Sequence, residues 1–184
     1  MLAAEGQADF IISLAGMAIS GAETLVWQNR LALTDAGLPQ EVTDEYCKLI
    51  EEAFEARVKG EPLPKADNRN IPDGLKQNYL AAQAQLQTPY MTQFLSVDMR
   101  PLLDKIECPV LALNGTKDTQ VEHESNLEAL RNGLKDNPKN RIESVEGLNH
   151  LFQHCTTGAS SEYREIEETF APEVLEMMVS WYGF

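Results

Sequence analysis

The sequence predicts an α/β fold, with about three parallel strands, flanking helices and an all-helical insertion. Two short continuous apolar runs, "DFIISLAG" and "CPVLALNG", end in small residues, as strands buried in a parallel sheet do. From Pro101 onward strand-like and helix-like patterns alternate, which implies parallel strands joined by right-handed crossovers. Between the two runs, Ser20 to Met99 reads as a helical insertion.

"DFIISLAG" is expected to be a strand buried on both faces. Ser20 and Glu23 form an S-x-x-E capping box that opens a helix through "AETLVWQNRLAL", which Gly37 and Pro39 end. A second helix is expected through "DEYCKLIEEAFEARVKG", with Tyr46, Leu49, Ile50, Ala53, Phe54 and Arg57 at helical spacing and Gly60 closing it. "EPLPKADNRNIP" is a Pro-rich polar linker. "LKQNYLAAQAQLQ" supplies a third helix with Leu75, Tyr79, Ala82 and Leu86 on one face. Thr88 and Pro89 suit the N-cap and first turn of a short fourth helix, "YMTQFLSV".

"CPVLALNG" is the second expected strand and "RIESVEG" the third. The amphipathic segment "NLEALRNGLKD" lies between them, with Leu127, Leu130 and Leu134 inward. "PEVLEMMVSWY" closes the chain as a helix with Pro172 in its first turn. Residues 1–19 and 100–184 thus form an α/β core, and residues 20–99 a helical insertion.

The chain has 184 residues, 43% of them apolar, which suffices for a packed core. Its net charge of −14 disfavours nucleic acid and anionic membrane surfaces as partners, since both need a basic face. No apolar run reaches the ~18–20 residues of a membrane span. "MLAAEGQADF" lacks a basic segment followed by an apolar one, so it does not read as a signal peptide; the compartment stays open. Cys47, Cys108 and Cys155 are odd in number and widely spaced, forming neither a zinc ligand set nor a disulfide framework.

Two loops at the carboxyl ends of expected strands carry chemistry. "NGTKDTQV" places Asp118 after one, and "VEGLNHLFQ" places His150 after the next. Sites in open parallel sheets lie beyond these strand ends, so the two side chains can converge. A carboxylate there would hold the imidazole tautomer and stabilise the imidazolium as it takes a proton.

These stretches, with "EYREIEETFAPEVLEMMVSWY", resemble the C-terminal half of an α/β-hydrolase, closest to bacterial serine hydrolases of the esterase or aminopeptidase-like branch. "FIISLAGMAISGAETLVWQ" resembles the strand and helix that follow the nucleophile helix in that family. The resemblance implies that Asp118 is the triad acid and His150 the triad base, in the family order Ser, acid, His. It also implies that the insertion is a lid over an acyl pocket. The substrate class it implies is a small acyl or peptide-like molecule, cleaved at an ester, thioester or amide without metal or organic cofactor.

The family's serine lies in G-x-S-x-G, and none of Ser13, Ser20, Ser96, Ser125, Ser144, Ser160, Ser161 and Ser180 has glycine at both −2 and +2. No nucleophile is therefore expected in this chain, which reads as the C-terminal part of a longer hydrolase. The expected alternative is a non-catalytic remnant or assembly module that self-associates through the edge of the first strand.

Other residues compete for these roles. His123 opens a predicted helix and is expected to be solvated, while His150 and His154 are four apart, a metal-ligand spacing only on a helix, and Gly147 argues for a loop. Cys155 would have to fold back to act as a nucleophile. Glu165, Glu167 and Glu168 read as a solvated face; Trp27, Phe54, Tyr79 and Phe94 could line an acyl pocket, but their helical spacing makes them core or lid packing first.

Overall fold

The computed structural model describes residues 1–183. In chain order the elements are β1 (Ile11–Leu14), α1 (Gly21–Asp35), α2 (Gln40–Lys59), α3 (Asp73–Leu86), α4 (Pro89–Ser96), α5 (Arg100–Leu103), β2 (Val110–Gly115), α6 (His123–Gly133), β3 (Arg141–Val145) and α7 (Pro172–Tyr182). The chain divides into two compact units: Met1–Ile19 with the chain from Asp98 onward, and Ser20–Val97. The first is α/β, a three-stranded sheet with flanking helices, and the second is all helical.

In the α/β unit the strands run parallel in the order β1-β2-β3, with Ile11 opposite Val110 and Leu111 opposite Arg141. β2 is central and wholly buried. Its side chains alternate between two faces, as the pleat requires. Leu111 and Leu113 pack with Leu148, Phe152 and Val174 of α7, whereas Val110 and Ala112 pack with Leu127 and Leu130 of α6. The sheet is thus covered on both sides, the usual condition of parallel strands.

β1 departs from expectation. It is only half-buried, with Leu14 exposed, because it forms an edge of this sheet. The Ile11 and Ala15 N–H groups donate to the carbonyls of Pro109, just before β2, and of Leu113 within it. The alternation of a parallel ladder then turns the backbone of Ile12 and Leu14 to the open side. An apolar run reads alike in a central strand and an edge strand, so the sequence pattern does not distinguish them.

The chain leaving β1 is anchored by Asn126 of α6, which is fully buried. Its Oδ1 accepts from the Ala18 and Ile19 N–H groups at 2.7 and 3.2 Å, and its Nδ2 donates to the Glu122 carbonyl. α6 starts three residues earlier than the leucine spacing suggests, because the Glu122 carboxylate caps it through the Glu124 and Ser125 N–H groups.

In the helical unit, the Ser20–Glu23 capping box forms as expected, with both reciprocal bonds present. Thr88 caps α4 through the Met91 N–H, with Pro89 in its first turn. α2 starts four residues before its expected position, directly behind Pro39, where no capping side chain marks the boundary. Its buried face, including Tyr46, Leu49, Ile50 and Phe54, builds the core with Leu75 and Tyr79 of α3. The buried Tyr79 hydroxyl donates to the Pro64 carbonyl at 2.7 Å, which ties the Pro-rich linker to that core. None of the described helices is long and apolar enough to cross a membrane.

Candidate active site

Asp118 and His150 meet at the carboxyl end of the sheet. β2 ends at Gly115 and β3 at Val145, and the loops that follow are laced together. The Thr116 N–H donates to the Val145 carbonyl, the Lys117 N–H to the Leu148 carbonyl, and the Gly147 N–H to Thr116 Oγ1. Gly115 allows this approach: a Cβ there would collide with the Leu148 carbonyl oxygen. Gly158 allows a second one, since its φ of +80° and its contact with the Lys117 carbonyl leave no room for a side chain.

The Asp118 side chain is completely buried, and its two oxygens divide their work. Oδ1 accepts from the Gln120 and Val121 N–H groups at 2.7 and 2.9 Å, which fixes the carboxylate within its own turn. Oδ2 lies 2.9 Å from His150 Nδ1. The imidazole is about a quarter exposed, at 27%. A carboxylate only accepts, so Nδ1 carries the proton and donates, and the Nε2 lone pair of neutral His150 is free for a second proton. The hydrogen bond to Asp118 raises the His150 pKa above the usual imidazole value, against the opposing effect of burial.

The loop that carries the ring is shaped by a neighbour that the sequence patterns did not mark. Asn149 is fully buried, and its Oδ1 accepts from the Leu151 and Gln153 N–H groups. Its Nδ2 donates to Gln153 Oε1, and Gln153 Nε2 reaches the Glu168 carbonyl. The turn between them holds Phe152 at a φ of +57°. The available signal was an Asn in a loop, two residues before the N–H it binds, the pattern of an Asx-turn. Lys117 also braces the loop, donating to the Cys155 and Thr156 carbonyls.

The competing residues take other roles. His154 is exposed and bridges Glu168 and Glu173, with its two ring nitrogens each 2.9 Å from a carboxylate oxygen. Its pKa is raised, chiefly by Glu168. Glu168 is therefore not part of a purely solvated run. His123 is half-buried at the start of α6. The Cys155 thiol turns to the Gly147 carbonyl, and burial pushes its pKa up, the opposite of what a thiolate nucleophile needs. Among the described residues no serine, threonine or cysteine side chain bonds to His150. Nor do three or more histidine, cysteine or acidic residues group there to hold a metal ion.

Neither a protein-family model nor a curated protein sequence matches the chain. Among solved structures, a similar chain is one from Mycobacterium tuberculosis H37Rv, provisionally described as the non-heme bromoperoxidase BpoC. The two are 15% identical with a TM-score of 0.43, over 98% of this chain. The present chain spans 60% of the length of that one. A likeness this distant carries no argument about chemistry, which rests on the geometry above.

Proposed function

We propose that His150 and Asp118 are the base and the orienting acid of a serine hydrolase of the α/β-hydrolase type, acting on an ester, thioester or amide. One observation carries this reading: a fully buried carboxylate holds His150 Nδ1 at the carboxyl ends of adjacent parallel strands, while Nε2 stays free. In the proposed reaction Nε2 takes the serine proton as the hydroxyl attacks the acyl carbon. It then hands that proton to the leaving group, and repeats the cycle with water to release the acyl group. Asp118 keeps the tautomer and stabilises the imidazolium. The serine and the oxyanion donors are assigned to a segment outside these residues, and the helical unit to the role of a lid.

The purified chain is expected to show no hydrolysis of p-nitrophenyl butyrate that a serine-directed fluorophosphonate blocks. The reading frame extended upstream through a G-x-S-x-G segment should gain such turnover. His150→Ala in that longer protein should reduce it by about 10²–10⁴-fold, the usual contribution of a general base. Equal turnover with and without His150 would sink the proposal.

A second reading is favoured by the open side of β1. Leu14 in that strand and Phe10 just before it are exposed apolar side chains. Edge strands with apolar neighbours pair readily, so two copies would join through β1. Light scattering should then show a mass that rises with concentration and falls in Leu14→Lys. A constant monomer mass would exclude this reading.

A further inference from the structure

The helical unit contains a cavity of about 340 Å³. That volume is within the ~300–1,000 Å³ of small-molecule sites. All four of its helices contribute to the wall, with Leu25, Tyr46, Phe54, Leu86 and Phe94 among the lining residues. Among the described residues no Asp, Glu, Lys, Arg or His lines it. A charged ligand would lose its hydration there and find no counter-charge.

The wall also carries polar groups, the amides of Asn29 and Gln85 and the hydroxyls of Tyr46, Tyr79 and Tyr90. Tyr46 is only 6% exposed, and its hydroxyl, which has no hydrogen-bond partner among the described residues, is not fully buried. The Tyr79 hydroxyl in the same unit is by contrast taken up by the Pro64 carbonyl, which leaves that of Tyr46 open to a ligand. Burial pushes the Tyr46 pKa up, so the phenol stays protonated and can donate. At the margin, the strongly exposed Tyr90 stacks on Phe94 with ring centroids 6.1 Å apart.

We propose that this cavity is a binding site for an uncharged, mainly aliphatic small molecule with one hydrogen-bond acceptor, which the Tyr46 hydroxyl holds. The mainly apolar wall supplies the affinity through buried area, and the Tyr46 hydroxyl, with the Asn29 and Gln85 amides also on the wall, supplies the orientation. The site belongs to the helical unit and goes beyond the hydrolytic reading. Its test needs no turnover, so failure here leaves the assignment of His150 and Asp118 as it stands.

The test is calorimetric titration of the whole chain with 1-octanol, and separately with octanoate, at neutral pH. One saturable 1-octanol site is expected, with octanoate at least about tenfold weaker because its charge has no partner. Ala82→Trp should weaken 1-octanol by about tenfold or more, since Ala82 lines the cavity but is exposed on α3, so the helix tolerates the change. Tyr46→Phe keeps the shape and removes the donor, and should weaken 1-octanol about tenfold, at the upper end for one hydrogen bond. Circular dichroism checks that both variants remain helical. Absence of saturable 1-octanol binding, octanoate binding as tightly as 1-octanol, or unchanged affinity in a folded Ala82→Trp would each overturn the proposal.

Discussion

Asp118→Ala is expected to lower the unfolding free energy by about 2–4 kcal/mol, because buried N–H donors that lose their acceptor cost about 1–3 kcal/mol each. The carboxylate is completely buried and accepts three donors: two backbone N–H groups in its own turn and His150 Nδ1. Alanine removes all three acceptor contacts at once, and the two N–H groups lose their only side-chain partner. Urea unfolding at neutral pH reads the loss as a lower midpoint with an unchanged slope. Asp118→Asn should cost less, because its amide oxygen can still accept from the Gln120 and Val121 N–H groups. Its NH₂ group would face Nδ1, however, and drive the imidazole proton to Nε2, the wrong tautomer for a base. A loss below about 1 kcal/mol for Asp118→Ala, the value of an ordinary hydrogen bond, would mean that the pair does not hold the two loops together.

Gly115→Ala should cost about 3 kcal/mol, toward the upper end for overpacking, although it adds a single methyl group. The added Cβ would overlap the Leu148 carbonyl oxygen and lie 2.9 Å from the Asn149 carbonyl oxygen. Both atoms are backbone, so relief requires the His150 loop to move away from the Asp118 loop. The Lys117 N–H bond to the Leu148 carbonyl would break with that movement. The substitution therefore joins two readouts, a lower urea midpoint and a His150 pKa that falls back toward its ordinary value. Wild-type stability in this variant would contradict the close approach of the two loops.

The α/β class was legible because its signals are local. The apolar runs at β1 and β2, the Ser20–Glu23 box, and Pro172 opening α7 each act over a few residues. Asp118 and His150 were legible for a related reason: each follows an apolar strand, and adjacent parallel strands deliver their next loops to the same end. The edge position of β1 was not legible, since it depends on which strands are neighbours. The start of α2 was missed because Pro39 is not a side-chain cap. The Asn149–Gln153–Glu168 chain was missed because it exists only once the loop has closed on itself. Glu168 looked like part of a solvated charge run until the fold brought His154 to it.

The pH dependence follows from the direction of the His150 shift. A histidine whose folded pKa is raised binds its proton more tightly in the folded state. Its contribution to stability is fully present below the unfolded value of about 6.5 and is lost as pH rises through the higher folded value. As a base, His150 works in the opposite direction: it becomes competent only once the pH exceeds that raised value.

The most direct test of the central claim, that Asp118 holds His150 as a base with Nε2 free, is a long-range ¹H–¹⁵N NMR titration of the His150 ring in the wild type and in Asp118→Asn. The structure predicts a pKa above about 6.5 and a neutral ring protonated on Nδ1, with both features lost in the variant. A neutral ring protonated on Nε2 in the wild type, or a pKa that Asp118→Asn leaves unchanged, would contradict it.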